Sequence, residues 1–181
     1  MSWFDSRHWF FQPSRAAALA AAMLAPALAG CGYQPLYGSG FAGPQGSVAD
    51  QMRAVDVALV PGRVGQEIRN ELIFMDTGGR EAAPPKYRLE IAMRESVQAT
   101  LVNIQGTAAG NIYQVNADFK LISIADQKVI LNAKSGAQAQ YQQEASTFAN
   151  VRARRDAEDR AARVLADSIR TQVAAFLSQT G

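Results

Sequence analysis

The 181-residue chain has one cysteine, Cys31, and one histidine, His8, and their positions decide which chemistry is open to it. Cys31 ends the run Leu28-Ala29-Gly30-Cys31 and is followed by Gly32-Tyr33-Gln34-Pro35-Leu36-Tyr37-Gly38. Small side chains ahead of a thiol let an extended backbone enter a protease, and the thiolate is the nucleophile that a diacylglycerol can alkylate. This is the arrangement a lipoprotein signal peptidase requires, so Cys31 is expected to become the lipidated first residue of the mature chain. The competing reading of the same residue is a buried cysteine behind an ordinary signal peptide.

The segment before it agrees with the first reading. Ala16 to Ala29 is an almost wholly apolar run of about 14 residues, interrupted by Pro26 and preceded by Arg7 and Arg15. A bilayer-spanning helix needs roughly 20 residues, whereas a positive start, a short apolar run and small residues at its end mark a secretory signal peptide. Residues 1–30 are therefore assigned to the signal peptide. Acyl chains contribute about 0.8 kcal/mol per buried methylene and more than one chain anchors stably, so the mature chain is tethered to a membrane without spanning it. Gly32 stands where an inner-membrane retention Asp would stand, which points to the periplasmic side of the outer membrane. With no second cysteine there is no intramolecular disulfide, and the core alone must hold the fold in an oxidising compartment.

Losing residues 1–30 removes Arg7, Arg15 and Asp5 and takes the net charge from +2 to +1. That is no footprint for nucleic acid. His8 leaves with the signal peptide, so neither imidazole nor free thiol remains for Ser-His-Asp or Cys-His nucleophiles or for the usual zinc sites. No Gly-rich phosphate loop with a following Lys is present. Asp156, Glu158 and Asp159 crowd together, but Arg152, Arg154, Arg155 and Arg160 interleave with them, which reads as a solvated helix face with i,i+4 ion pairs. No enzyme activity, no metal and no cofactor other than the covalent lipid on Cys31 is expected.

These features must be carried by the elements that follow. Residues 31–50 hold the lipidated cysteine and a Gly/Pro/Ser-rich stretch that reads as a flexible tether, in which Tyr33, Leu36 and Tyr37 are out of place. Residues 51–181 form one domain. Arg53 to Val60 alternates, with Val55, Val57 and Leu59 on one face, and stops at Pro61-Gly62. Val64 to Asp76 takes helical spacing through Val64, Ile68, Leu72 and Met75, and Gly78-Gly79 ends it. Tyr87, Leu89, Ile91 and Met93 alternate with Arg88, Glu90, Ala92 and Arg94 in a strand running to about Val102. Residues 103–110 make a turn. The third strand puts Tyr113, Val115, Ala117, Phe119 and Leu121 on one face. After Ala125-Asp126-Gln127, the fourth sets Val129, Leu131, Ala133, Ala137, Ala139 and Tyr141 against Lys128, Asn132, Lys134, Gln138 and Gln140. From about Asn150 to Ser178 a long amphipathic helix presents Val151, Ala157, Ala161, Val164, Leu165, Ile169, Val173, Phe176 and Leu177.

A helix between the first two strands predicts a parallel crossover, and the next three strands a meander. The result is an α+β two-layer sandwich: a four-stranded mixed sheet in β-α-β-β-β-α order with two helices on one face. The other sheet face is left to polar residues. Arg88, Arg94, Lys120, Lys128 and Lys134 stand among them, and Arg88, Arg94, Lys120 and Lys134 are the candidate cations for an anionic ligand or a polar partner, against the simpler reading of a solvated surface.

The Leu-Ala-Gly-Cys box with Gly-Tyr-Gln-Pro-Leu-Tyr-Gly, Gly65-Gln66-Glu67-Ile68-Arg69-Asn70-Glu71-Leu72 in the first helix, and Asp159-Arg160-Ala161-Ala162 in the second resemble the LPS-assembly lipoprotein family (LptE), in its alphaproteobacterial form. The resemblance implies an α+β fold of helices on a four-stranded sheet. It also implies a plug-like 1:1 partner of the LptD-type outer-membrane β-barrel that assists barrel assembly and delivery of lipopolysaccharide to the cell surface. Two other classes stay open: a free-standing lipoprotein binding a small anionic or lipidic ligand, and a carboxylate-dependent envelope hydrolase.

Overall fold

In the computed structural model, the residues described are 47–102, 108–143 and 146–180. The signal peptide, Cys31, Tyr33, Leu36, Tyr37 and residues 103–107 lie outside them, and residues 108–110, expected in the turn, belong instead to the third strand. The elements in order are α1 (Val48–Arg53), β1 (Val55–Val57), α2 (Arg63–Thr77), β2 (Tyr87–Val102), β3 (Ala108–Ser123), β4 (Lys128–Gln142) and α3 (Thr147–Thr180). The four strands form one sheet in the order β1-β2-β3-β4. β1 pairs with β2 in parallel, the pairing that needs a crossover such as α2 supplies, and β2–β3 and β3–β4 are antiparallel. This is the α+β architecture the alternating pattern implies.

One face of the sheet is sealed. Leu89, Tyr113, Val115, Phe119 and Leu121 from the strands meet Ile68 and Leu72 of α2 and Leu165, Ile169, Val173 and Leu177 of α3, all at most 2% exposed. α3 contributes five alanines to this layer, Ala157, Ala161, Ala162, Ala166 and Ala174, each fully buried. Residues without side-chain bulk let the helix sit close to β3, β4 and α2 together, and they lose no rotamer entropy on burial. At about 1.5 Å per residue its length is about 51 Å, enough to run past the whole sheet. Tyr113 buries its ring completely and donates its hydroxyl to Glu95 Oε2 at 2.7 Å. Burial first, and the Glu95 carboxylate second, push that phenol well above its usual range.

Several local departures from simple periodicity have physical causes. Ser47-Val48-Ala49-Asp50 is a capping box: Ser47 Oγ accepts from the Asp50 N–H at 3.2 Å and donates to the Asp50 carboxylate at 2.7 Å. It starts α1 at Val48, inside the stretch read as tether, and α1 buries Gln51 and Met52. β1 is shorter than the Arg53–Val60 alternation. The chain leaves the sheet after Val57, so Val60 at 1% exposure takes the core position expected of Leu59, which is 81% exposed. Val60 lies against Gly65, where a Cβ would stand 2.7 Å from Val60 Cγ1, so the first turn of α2 must pass a residue without a side chain. Gly78 ends α2 in the left-handed region at φ 60°. On α3, Val151 and Val164 are 47% and 58% exposed and fall outside the buried arc.

β4 holds the most informative departure. Leu121 pairs with Leu131 but Ile122 pairs with Val129, so Ile130 is an extra residue in the ladder. The bulge moves Val129, 53% exposed, to the outer face and takes Lys128 off it. The reading that set Val129 with Leu131 against Lys128 is corrected accordingly.

The acidic cluster of α3 is corrected too. The i,i+4 pairs Arg154–Glu158 at 2.9 Å and Arg160–Asp156 at 3.1 Å are present. Glu158, however, is buried at 8% exposure and also pairs with Arg63 at the start of α2, whose other nitrogen reaches Asp159 at 2.6 Å. These hydrogen bonds, that to Asp159 foremost, hold the Arg63 guanidinium above its ordinary range. A second pair ties the same helices, Arg170 Nε to Asp76 Oδ1 at 3.0 Å.

Candidate functional site

The uncovered sheet face is built from the alternate residues of the same strands. The registers stack them in cross-strand rows: Ser96, Gln114 and Gln138; Arg94, Asn116 and Gly136; Ala92, Asp118 and Lys134; Glu90, Lys120 and Asn132; Arg88, Ile122 and Val129. Arg88, Arg94, Lys120 and Lys134 are thus all on one face, where the alternation assigned them.

They are not one cluster. Arg94 and Lys134 flank a depression of about 490 Å³ with Asn116, Asp118, Ser135 and Gly136. Gly136 opens it: a Cβ there would stand 2.7 Å from Asn116 Oδ1. Lys134 Nζ bonds Asp118 Oδ1 at 2.9 Å. That hydrogen bond first, and the charges of Lys134 and Arg94 after it, hold the Asp118 carboxyl below the usual carboxylate range. Lys120 sits one row further, opposite Glu90. Arg88 is six residues from Arg94 along β2, about 20 Å at the strand rise, and its Nε is 3.5 Å from Asp56 of β1. Among the described residues Arg94 has no ion pair within 4.0 Å.

Two cations around one carboxylate leave the depression one net positive charge on an open, hydrogen-bonding surface. Such a surface can hold a phosphate or a polar protein wall through charge-assisted hydrogen bonds. Asn116, Asp118 and Gly136 belong to it as much as the cations do, and the period-2 pattern alone places them there once the register is known. Among the described residues no group of three or more His, Cys, Asp or Glu side chains could hold a metal ion, and no helix is long and apolar enough to cross a membrane.

No protein-family model matches the chain. No curated protein matches it either. Solved structures do. A candidate lipoprotein from Caulobacter crescentus CB15 aligns over 72% of this chain and 96% of its own, at 19% identity and a TM-score of 0.60. The rare lipoprotein B from Shewanella oneidensis aligns over 70% and 96%, at 11% identity and a TM-score of 0.54. An uncharacterized lipoprotein B from Nitrosomonas europaea aligns over 68% and 82%, at 12% identity and a TM-score of 0.53. The chain therefore shares its fold with these lipoproteins.

Proposed function

We propose that this chain is an outer-membrane lipoprotein that partners an LptD-type β-barrel as plug and assembly factor and assists lipopolysaccharide transport and insertion at the cell surface. Acyl chains on Cys31 hold the domain at the periplasmic side of the membrane, where tethering raises its effective concentration for the barrel. Its action is non-catalytic and uses no cofactor beyond that lipid.

The observation that carries the reading is the contrast between the faces of one sheet: one is sealed by helices, and the other presents Gln, Asn, Lys and Arg rows that suit a hydrated barrel lumen. The post-cysteine motif and the fold shared with lipoproteins, rare lipoprotein B among them, support it. Within this reading Arg94 and Lys134 meet lipopolysaccharide phosphates, with Arg88 and Lys120 as outlying contacts.

Cross-linking in intact outer membranes followed by pull-down is the test. Recovery of a large β-barrel with the chain is expected. Its absence after complete extraction would leave the free-standing ligand-binding lipoprotein as the better account. For the cations, Arg94→Ala with Lys134→Ala is expected to weaken lipopolysaccharide binding about tenfold, the scale of one charge-assisted hydrogen bond, and more than Arg88→Ala does. Unchanged binding retires the assignment.

A further inference from the structure

A second cavity, of about 270 Å³, lies between α2 and the connection leading to β2, lined among others by Val55, Val57, Arg69, Ile73, Asp76 and Ala83. It opens onto the edge of β1 that no other described strand covers, and the ladder decides which backbone groups face it. The Ala58 N–H donates to the Leu89 carbonyl at 2.9 Å, and the Ala54 carbonyl accepts from the Lys86 and Tyr87 N–H groups at 2.8 and 3.2 Å. Ala54, Asp56 and Ala58 therefore point toward β2, and Arg53, Val55 and Val57 point away from it.

Each end of this edge is closed. The Arg53 carbonyl accepts from the Ala83 N–H at 3.1 Å, and the Val57 carbonyl accepts from Arg69 Nε at 3.0 Å. Between them, the N–H and C=O of Val55 and the N–H of Val57 meet no donor or acceptor among the described residues. Proteins protect exposed edges because such groups template pairing with another chain. Here the protection stops short and leaves a window one residue wide with a cavity behind it.

We propose that this window binds an extended segment of another polypeptide, one residue of which pairs with Val55 through both its N–H and its C=O while an aliphatic side chain fills the cavity. The donor and acceptor of Val55, followed two residues on by the N–H of Val57, repeat at the spacing of a peptide backbone, and strand addition uses that spacing. Ile73, Ala82, Ala83 and Pro85 wall the cavity with apolar surface, and at the volume of about nine liquid water molecules it admits a valine or leucine side chain with room to spare. The acid at its back, Asp76, with a 4% exposed side chain, is already matched by Arg170, so the site calls for no charge on the guest.

The test is amide NMR of the full chain in detergent micelles, titrated with N-acetyl-Ala-Val-Ala-methylamide and with the same peptide N-methylated at valine. Saturable shifts at Val55, Val57 and Ala83 are expected with the first, and about tenfold weaker binding with the second, the scale of one lost hydrogen bond. Ala83→Phe is expected to abolish the response, and Ala82→Phe, at an exposed position, serves if the first variant misfolds. Equal binding of the two peptides, or shifts placed elsewhere, overturns the proposal. Concentration-dependent shifts at Val55 without peptide would assign the window to a second copy of the chain and overturn it too. The titration needs no barrel, so its failure leaves the plug reading standing.

Discussion

The two faces of this sheet are made by the same strands, yet charge is used on them in opposite ways. Between the helices, ion pairs are few and long-range, and each has a buried acid: Arg63, itself partly exposed, with Glu158 and its neighbour Asp159, and Arg170 with Asp76, join α2 to α3. On the outer face Lys134–Asp118 and Arg88–Asp56 link neighbouring strands in open solvent. Water screens the second kind, so those pairs contribute little to stability and their charges stay available to a partner. The first kind costs desolvation, and losing one member strands the other.

Substitutions can sharpen or break that contrast. The largest effect is expected from adjacent residues of β3: Phe119→Ala, at 0% exposure, should cost about 4 kcal/mol in urea denaturation, and Lys120→Ala on the other face less than about 0.5 kcal/mol. Similar losses would mean that the outer face is also packed.

Next comes pH. Burial pushes the Asp76 carboxyl up to about 6 against the Arg170 contact that lowers it. Between the unfolded carboxylate value near 4 and 6, the folded form holds the extra proton, so this group's contribution is fully present at low pH and is lost as pH rises through 6. A fall of up to about 3 kcal/mol over that window is expected. Asp76→Asn should flatten it, whereas the exposed Asp118 is expected to add no comparable slope. A wild-type stability curve with no such decline contradicts the assignment.

Arg63→Met is expected to destabilise by about 2 kcal/mol, the scale of hydrogen bonds to charged groups. Arg88→Met should stay within about 0.5 kcal/mol, and thermal melts side by side decide it. The smallest effect is expected at Gly136. Gly136→Thr fills the depression once the Asn116 side-chain amide turns aside and should then stabilise β4 by about 0.5 kcal/mol, since glycine weakens a strand interior, while lowering lipopolysaccharide binding. Undiminished binding with the depression filled would argue that ligand does not enter it.

The core was legible because alternation in β2 and β3 and the three- and four-residue steps of α2 and α3 each have one apolar phase. Val151 and Val164 fall outside the core because α3 packs on both the sheet and α2, and the arc it buries is set by alanines together with Leu165, Ile169, Val173 and Leu177, so a hydrophobic residue at the edge of the apolar stripe need not be covered. The bulge at Ile130 follows from a mismatch visible in the residues. Core positions of both β3 and β4 are odd-numbered, yet the tight hairpin sets Ser123 against Lys128, an odd residue against an even one. One extra residue must be absorbed before Leu121 can meet Leu131. For the candidate site, the cations were legible from alternation alone. Their division into Arg94 with Lys134, apart from Arg88, was not, because it depends on register and on the space that Gly136 leaves.

One contact on the far edge of the sheet has a bearing on how copies of this chain behave when crowded. β4 exposes a long row of residues with no strand beside it among those described, and Arg160 reaches from α3 to donate to the Gln140 carbonyl at 2.9 Å. An incoming strand that pairs along the Gln140 end of β4 must first dislodge that guanidinium, so one arginine guards that stretch of the rim against self-association.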